Sequence, residues 1–439
     1  MKKIAIVYMA HDGFTSLYTG VGSVARDFLF SFPEVSKNLK NKFKGFSFDL
    51  YATTIKYNEK CFGFSEDVKK ATQNIISKNK NIHLIELLNG SDGDESYATI
   101  DYWKFASISG ATFVYVLSLQ YDKVIVVAVD TPFAQVGNYF FKQHKSRNVA
   151  IAWLPQSTVL IHRENPIKLI KEEKERYEWE KDFVDLSKTN NHVFLSYVGE
   201  FMKRHLMEKY GARPDRLVSL RNSLYLNKLK SNITSQKEIK KLLVKLNVPT
   251  DRPLIFSFGR AEYYKGLDLV VANSLELIEN KNFYTLILCS SYNDNKNDPE
   301  VKKLKKLQKI SKNDIGIITS QDFHLPHLIM QWEKLNIIAV LSRAEPFGLI
   351  PIESRFYNNK NSVLVVSSVG GLPEQVVDGK DGFVTSLNKK SIKKVFNKVA
   401  ELSSQEKIKI SKQAYNRINS DYDQIKVDTE FISKMLSLT

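Results

Sequence analysis

The chain has 439 residues, of which 43% are hydrophobic and 26% are charged. This is the composition of an ordinary globular protein, and the length corresponds to two or three domains of about 150 residues each. The formal net charge of +16 fits an anionic partner, such as nucleic acid, a membrane surface or a phosphorylated substrate. It fits a lysine-rich solvated surface equally well.

The beginning of the chain and its cysteines favour a cytoplasmic protein. The first apolar run covers only residues 4–10, and His11 and Asp12 follow at once, so it predicts a buried strand and not a signal peptide. No run approaches the roughly 18 apolar residues of a membrane-spanning helix. Cys61 and Cys289 are far apart without metal-ligating neighbours, which argues against a disulfide framework. Attachment to the inner face of a membrane is left open.

Short apolar runs alternate with helical patterns along the chain. The runs are residues 4–10, 48–53, 82–87, 124–130, 149–154 and 192–198 in the first half, and 254–259, 284–289, 315–320, 337–342 and 362–368 in the second. This alternation predicts an α/β protein in which parallel sheets are covered on both faces, and such sheets bind ligands at the carboxyl ends of their strands.

A polar, basic stretch that is poor in strand signal covers residues 225–250. We therefore predict two Rossmann-like domains, residues 1–225 and 226–405. Residues 406–439 have helical composition, and we expect this segment to cross back to the first domain.

Two cations follow the first strand of the second half, in the stretch GRAEYYKG. Arg260 and Lys265 stand at the mouth of a strand, just before a helix, which is a suitable place for an anion such as a diphosphate. Two surface cations flanking a turn would produce the same pattern.

Two glutamates surround a turn in the stretch SRAEPFGLIPIESRF. Glu345 precedes Gly348, and Glu353 lies about one turn into a helix that starts near Leu349. The N–H groups of residues 348–350 at the start of this helix suit a phosphate or a sugar oxygen, and a carboxylate suits a vicinal diol. A helix cap and one solvated acid would explain a single glutamate, but not the whole pattern.

Two glycine loops complete the set of candidate ligand contacts. Gly370 and Gly371 follow a strand in GGLPE, and Gly20 and Gly22 precede a helix in TGVGS. The second loop lacks the full dinucleotide fingerprint, so a structural turn and a phosphate contact are both open for it.

These four pieces, in this order, resemble retaining glycosyltransferases of the GT-B fold, specifically glycosyltransferase family four. The family pattern is a glycine loop, then G-R-x4-K-G, then E-x7-E around F-G-L, then G-G-x-P-E, and it is matched here by TGVGS, GRAEYYKG, EPFGLIPIE and GGLPE. The match covers about residues 250–400 well. The first half matches only in its first loop and in strand order.

The resemblance implies roles for these residues. Arg260 and Lys265 would bind the donor diphosphate, and Glu345 would contact the donor sugar; these three are the candidate catalytic residues. Backbone groups of Phe347, Gly348 and Leu349 would lie near the sugar and phosphates, Glu353 would hold the ribose diol, and Gly20 or Gly22 would touch the diphosphate. The implied activity is that of a metal-independent, cofactor-free hexosyltransferase that forms an α-glycoside in polysaccharide or glycoconjugate biosynthesis.

The sequence departs from the family pattern at one loop, where a histidine near the transferred sugar is usual. Here the loop reads AIAWLPQSTVLIHREN, so either Gln156 substitutes or His162 reaches in. Asp130, at the end of the run 124–130, could line the same side and contact the acceptor. Structural packing explains His162 equally well.

Other functions are weighed against this one. A metal-dependent transferase would use Asp92 and Asp94, but a polar loop explains these residues too. A non-hydrolysing nucleotide-sugar epimerase shares the architecture, and charge alone suggests a nucleic-acid binder. Aromatic and lysine residues interleave over residues 28–48 and could touch a membrane. The base, the sugar, the acceptor and the oligomeric state are not determined; a UDP-linked donor is favoured by family frequency.

Overall fold

The computed structural model describes residues 1–17, 19–56, 63–88, 99–161, 169–290, 298–310, 314–322, 324–357 and 361–438. It divides the chain into two compact units. The first comprises Met1–Tyr225 together with Asp423–Thr439, and the second comprises Leu226–Tyr422.

The first unit is built on a seven-stranded sheet with the strand order β3-β2-β1-β4-β5-β6-β7. Its strands are β1 (Lys2–Met9), β2 (Phe46–Ile55), β3 (Ile82–Leu87), β4 (Lys123–Val129), β5 (Val149–Leu154), β6 (Val193–Tyr197) and β7 (Leu217–Ser219). All neighbouring strands pair in parallel. The inner strands are buried on both faces, which is why β4 and β5 consist almost entirely of apolar residues.

Helices connect these strands. They are α1 (Gly20–Lys42), α2 (Glu66–Lys78), α3 (Ile100–Ser118), α4 (Val136–Gln143), α5 (Lys171–Thr189) and α6 (Glu200–Tyr210). The helix α1 begins at Gly20 because the Thr19 side chain caps it and accepts a hydrogen bond from the N–H of Gly22. The glycines predicted to precede the helix therefore form its first turn.

The second unit contains a six-stranded parallel sheet with the order β10-β9-β8-β11-β12-β13. Its strands are β8 (Leu254–Arg260), β9 (Tyr284–Ser290), β10 (Ile315–Thr319), β11 (Leu335–Val340), β12 (Val363–Ser367) and β13 (Phe383–Thr385). Its helices are α7 (Leu226–Lys230), α8 (Gln236–Lys245), α9 (Leu267–Lys281), α10 (Pro299–Ile310), α11 (His324–Met330), α12 (Ile350–Tyr357), α13 (Lys389–Glu401) and α14 (Ser404–Asp421).

The last helix, α15 (Gln424–Leu438), belongs to the first unit. It packs on α1, where the Ser31 hydroxyl donates a 3.0 Å hydrogen bond to the buried Asp428. Helix α14 belongs to the second unit, so the chain returns to the first unit at Asp423 and not at the predicted residue 406.

The structure confirms the predicted fold class, an α/β architecture with two Rossmann-like units. Every predicted apolar run forms a strand. The short edge strands β7 and β13 were not predicted.

The aromatic residues of the stretch 28–48 divide between the core and the surface of the first unit, and Phe30, Phe43 and Phe46 are partly exposed. Phe28, Phe32 and Phe48 are each at most 1% exposed, so they pack inside the first unit and cannot face a lipid surface. Within the described ranges, no helix has both the length and the apolar character needed to cross a membrane.

Candidate active site

The two predicted cations lie at the carboxyl end of β8 in the second unit. The strand ends at Arg260, a single 3-10 turn covers Tyr263–Lys265, and α9 follows. Gly266 connects the turn to the helix with a φ of +65°, and a methyl group at this position would lie 1.9 Å from the carbonyl oxygen of Leu341. Only glycine fits here, and the turn that carries Lys265 is thereby packed against the end of β11.

Lys265 and Glu345 form an ion pair in which Nζ lies 2.7 Å from Oε2. Their side chains are 17% and 8% exposed, respectively, so the pair is largely removed from water. Ser342 donates a second hydrogen bond of 3.3 Å to the same carboxylate oxygen. The structure thus brings together two of the predicted catalytic residues.

Tyr264 contacts both predicted cations. The guanidinium carbon of Arg260 lies 5.6 Å from the Tyr264 ring centroid, and Lys265 Nζ lies 5.4 Å from it. Arg260 also donates to the Tyr264 hydroxyl and pairs with Glu262 at 3.2 Å. Burial raises the pKa of Tyr264, so the phenol stays protonated and neutral between the two cations.

The loop between the two glutamates is held by a close approach of two backbone segments. Gly370, with a φ of +60°, lies so near this loop that a methyl group there would be 1.9 Å from the carbonyl oxygen of Glu345. The N–H of Gly371 donates a 2.9 Å hydrogen bond to that same oxygen. The glycine pair of GGLPE therefore fixes the backbone position of Glu345.

Residues 347–349, which are predicted to contact the donor, make several contacts within the second unit. The Phe347 side chain is 1% exposed and packs near Tyr422, with ring centroids 6.3 Å apart. The carbonyl groups of Phe347 and Gly348 accept hydrogen bonds from the buried Gln375 amide. The carbonyl of Leu349 starts α12 by accepting from the N–H of Glu353 at 3.0 Å. The Phe347 ring therefore serves packing, and a donor contact in this loop is left to the backbone.

Glu353 lies in the first turn of α12 and faces a different partner from Glu345. Its Oε1 is 3.7 Å from Nε2 of His327, and the two side chains are 16% and 19% exposed. His327 stacks on Tyr357 with ring centroids 4.7 Å apart. His327 could not be predicted from the sequence, because the short helix α11 that carries it contains no motif.

In the first unit, the glycine loop is built around Asp12. The Asp12 carboxylate accepts hydrogen bonds from the Thr19 N–H at 2.9 Å, the Thr19 hydroxyl at 2.8 Å and the Ser16 hydroxyl at 3.0 Å. A methyl group on Gly22 would lie 2.3 Å from this carboxylate, so Gly22 is required by packing. Its N–H donates to Thr19, whereas Gly20 is exposed at the start of the 23-residue helix α1.

The predicted acceptor-side residues Asp130 and Gln156 lie together after β4 and β5. The backbone N–H groups of Gln156 and Ser157 hydrogen bond to Asp130. Burial nevertheless raises the pKa of Asp130, and its buried Oδ1 has no hydrogen-bond partner among the described residues. Asp130 has a φ of +61°, a strained conformation for a residue with a side chain.

Gln156 is committed to a structural partner. Its amide exchanges two hydrogen bonds with Asn222, of 3.1 and 2.8 Å, and the side chain is 9% exposed. His162, the other candidate for the place of the family histidine, lies outside the described residues, as do Asp92 and Asp94.

A buried network below this loop was not predicted from the sequence. Glu180 accepts from Arg176 at 2.7 Å, from the Tyr210 hydroxyl at 2.5 Å and from the N–H of Val159. Burial raises the pKa of Glu180, an effect that the adjacent Arg176 opposes. The network pins the loop that carries Gln156 to α5 and α6.

The family comparison concerns the second unit. Residues 238–417 match the family model described as "Glycosyl transferases group 1". This segment contains the Arg260, Lys265, Glu345 and Glu353 positions, whereas the candidate diphosphate contacts Gly20 and Gly22 lie outside it.

Curated relatives share part of their length with this chain. The trehalose synthase of Thermococcus litoralis is 28% identical over 239 residues, which are 52% of this chain and 57% of that protein. The granule-bound starch synthase 1 of Triticum aestivum is 28% identical over 144 residues, which are 32% of this chain and 22% of that protein. The chain thus spans little more than half the length of the trehalose synthase and about a fifth of the length of the starch synthase.

Solved structures share the fold over the whole chain. Sucrose-phosphate synthase from Thermosynechococcus elongatus has a TM-score of 0.73 at 14% identity and covers 100% of this chain, with 99% of that chain covered. Anabaena HepE, solved in complex with UDP and glucose, has a TM-score of 0.67 at 14% identity and covers 99% and 100% of the two chains.

Residues 238–417 thus match the group 1 glycosyl transferases, and the whole chain shares the GT-B fold of the solved structures. The motif-based recognition of this chain is confirmed for the GT-B fold and for the group 1 segment, residues 238–417. Its assignment to glycosyltransferase family four and to the retaining group stays a prediction, as do the roles of the individual site residues.

Proposed function

We propose that this protein is a retaining hexosyltransferase. It transfers a hexosyl or N-acetylhexosaminyl group from a nucleotide sugar, most readily a UDP-sugar, to an acceptor hydroxyl and forms an α-glycoside. The observation that carries the proposal is the grouping of Lys265, Glu345 and Arg260 around Tyr264 at the carboxyl end of a parallel sheet. This is the edge at which such sheets bind ligands.

In this proposal Arg260 and Lys265 bind the donor diphosphate. Arginine offers a planar fork and lysine a compact charge, and both match phosphate oxygens. As the glycosyl–phosphate bond breaks, negative charge grows on the leaving nucleoside diphosphate. Cations held in place by the fold stabilise that charge with little reorganisation, so they lower the barrier to transfer.

The two glutamates hold opposite ends of the donor in this arrangement. Glu345, which pairs with Lys265, contacts hydroxyls of the transferred sugar. Glu353, in the first turn of α12, holds the ribose diol. Their separate partners in the structure, Lys265 and His327, support a division of labour between them. The backbone of residues 348 and 349 at the start of α12 completes the donor contacts.

The transfer step requires no carboxylate nucleophile. The bond from the anomeric carbon to the phosphate oxygen breaks through an oxocarbenium-like transition state, and the acceptor oxygen attacks the same face. The departing phosphate oxygen takes the acceptor hydroxyl proton, so the nucleoside diphosphate leaves as the second product. Glu345 then acts through the sugar hydroxyls, and the two cations act on the leaving group.

The donor can be proposed as a specific class of nucleotide sugar, whereas the acceptor class cannot. A UDP-hexose donor is supported by the likeness in fold to Anabaena HepE, whose structure holds UDP and glucose. The acceptor class stays open among glycans, lipids, small molecules and proteins. Asp130 is the proposed acceptor contact, since it follows the carboxyl end of β4 and has a buried carboxylate oxygen without a hydrogen-bond partner among the described residues. A cytoplasmic location and independence from metal ions belong to the same proposal.

A thermal-shift screen of nucleoside diphosphates and their sugars tests the donor assignment. A ligand at a hundred times its dissociation constant adds about 2.7 kcal/mol to the free energy of unfolding. The product of the selected donor is then examined by proton NMR for an α-linkage, with and without a chelator. A β-linked product would refute retention, loss of activity with chelator would refute metal independence, and turnover without an acceptor would favour the epimerase.

A further inference from the structure

Arg343 joins the two loops that carry the proposed donor residues. Its guanidinium donates two parallel hydrogen bonds to Asp268 in the first turn of α9, of 2.8 and 2.9 Å. It also donates a 2.6 Å hydrogen bond to the carbonyl of Tyr263, and its own backbone N–H donates at 2.6 Å to the carbonyl of Tyr264. Arg343 lies in the stretch SRAEPFGLIPIESRF, but the motifs assign it no role.

These contacts surround Lys265 in the sequence. Tyr263 and Tyr264 immediately precede Lys265, whereas Asp268 follows it by three residues. Glu345, the ion-pair partner of Lys265, lies two residues after Arg343. Arg343 therefore holds the turn before Lys265 and the helix after it from the same strand end that presents Glu345.

The geometry is specific to an arginine. The guanidinium carbon lies 4.0 Å from the Tyr263 ring centroid, so the group stacks on this ring while its edge reaches Asp268. Burial alone would raise the pKa of Asp268, but the hydrogen bonds from Arg343 and Lys303 keep it below its ordinary value. A lysine side chain has a single nitrogen and no planar fork, so it cannot reproduce the two parallel hydrogen bonds to the Asp268 carboxylate.

A second cation provides a natural comparison. Lys303 of α10 also pairs with Asp268, at 3.0 Å, and lies 5.3 Å from the Tyr263 ring centroid. Among the described residues, Lys303 makes no hydrogen bond to the backbone of the turn that carries Lys265. Its side chain is 42% exposed, against 19% for Arg343. The two cations thus share an acceptor and a ring, but only Arg343 links the two loops.

We propose that Arg343 is a positioning residue for the donor site: by joining the Tyr263–Lys265 turn, Asp268 and the Glu345 loop, it sets the location of the Lys265 ammonium relative to the donor diphosphate. The inference rests on the proposed function, in which Lys265 contacts that diphosphate. Arg343 itself acts through Lys265 and does not touch the donor.

The test is a double-mutant cycle of Arg343→Ala and Lys265→Ala, read by titration calorimetry with UDP. In the otherwise unchanged protein, Arg343→Ala is expected to weaken UDP binding about tenfold, because the charge-assisted hydrogen bonds that fix the turn carrying Lys265 are lost. In the Lys265→Ala background the same change is expected to weaken it by less than about twofold, because the group being positioned is gone. Arg343→Lys should restore part of the affinity, and Asp268→Asn should resemble Arg343→Ala.

The matched control is Lys303→Ala, which also removes a partner of Asp268 and should leave UDP affinity unchanged. An Arg343→Ala effect of equal size in both backgrounds would overturn the proposal, and so would an equal loss from Lys303→Ala. If Lys265→Ala leaves UDP affinity intact, the diphosphate assignment itself fails, and the inference falls with it. Should Arg343→Ala not fold, Arg343→Lys and Asp268→Asn take its place in the same cycle.

Discussion

Lys265 and Glu345 neutralise each other in a largely buried ion pair, with Nζ 2.7 Å from Oε2, although 80 residues separate them in the chain. Each is implied to bind a different part of the donor, one the phosphates and the other the sugar. Because the two charges compensate each other, both side chains can be ionised in a site with little access to water. Removing either partner leaves a buried charge without compensation, which is far more costly than removing an exposed pair.

The first prediction concerns Lys265→Ala. The substitution removes a charge-assisted contact worth roughly 1.5–3 kcal/mol, so transfer should slow by at least about tenfold, since 1.4 kcal/mol corresponds to a factor of ten. Initial rates of transfer at saturating acceptor measure this effect. Lys281→Ala is the matched control, because Lys281 forms a more exposed pair with Glu401 at 2.9 Å and should leave the rate unchanged. Near-normal transfer by Lys265→Ala would remove the diphosphate assignment.

The second prediction separates the two glutamates. Glu353→Ala should weaken the binding of free nucleoside diphosphate, because it removes the proposed ribose contact. Glu345→Ala should mainly lower turnover, because free nucleoside diphosphate has no sugar for Glu345 to contact. Titration calorimetry and steady-state rates on both variants test the division. Equal losses of nucleotide affinity in the two variants would contradict it.

The sequence predicts the strands well and the contacts within the site poorly. Runs such as residues 124–130 and 149–154 indicate strands because continuous apolar stretches of that length are buried on both faces. The edge strands β7 and β13 escape prediction because three residues carry no periodic signal. The end of the second unit is misplaced because the helical composition of residues 406–439 contains no mark of where the chain changes units.

Within the site, motif spacing identifies residue types but not their partners. The motifs indicate that Lys265 and Glu345 lie in one site, but spacing alone cannot show that they pair with each other. Arg343 stands inside the quoted stretch SRAEPFG and still carries no signal, because its partner Asp268 is 75 residues away. Spacing likewise cannot show that the Gln156 amide is hydrogen bonded to Asn222, which lies 66 residues later in the chain.

The third prediction concerns the packing of α15 on α1. Burial, with smaller contributions from Asp27 and Asp423, raises the pKa of Asp428 from 3.8 to about 8 in the folded protein. Between these values the folded state holds a proton that the unfolded state has lost, so stability falls as the pH rises through this window. The loss has a maximum slope of about 1.4 kcal/mol per pH unit.

Urea unfolding of the natural protein and of Asp428→Asn, measured from pH 5 to pH 9, tests this prediction. The natural protein should lose more stability across that range than Asp428→Asn, in which the titrating group is absent. Asp215→Asn is the control, since this carboxylate is about half exposed in the same unit and its removal should preserve the natural slope. Parallel stability curves for the natural protein and Asp428→Asn would show that the Asp428 carboxyl does not titrate in this window.

The fourth prediction uses two glycines with similar backbone conformations. Gly370 and Gly379 have φ values of +60° and +73°, so alanine strains the backbone at both. A methyl group at Gly370 would lie 1.9 Å from the carbonyl oxygen of Glu345, whereas nothing lies within 4 Å at Gly379. Gly370→Ala must therefore push the Glu345 loop away, in addition to the strain that Gly379→Ala shares. We expect Gly370→Ala to lower the melting temperature more than Gly379→Ala does. Transfer should be at least about tenfold slower in Gly370→Ala and unchanged in Gly379→Ala. Equal transfer rates in the two variants would show that the backbone position of Glu345 does not limit the reaction.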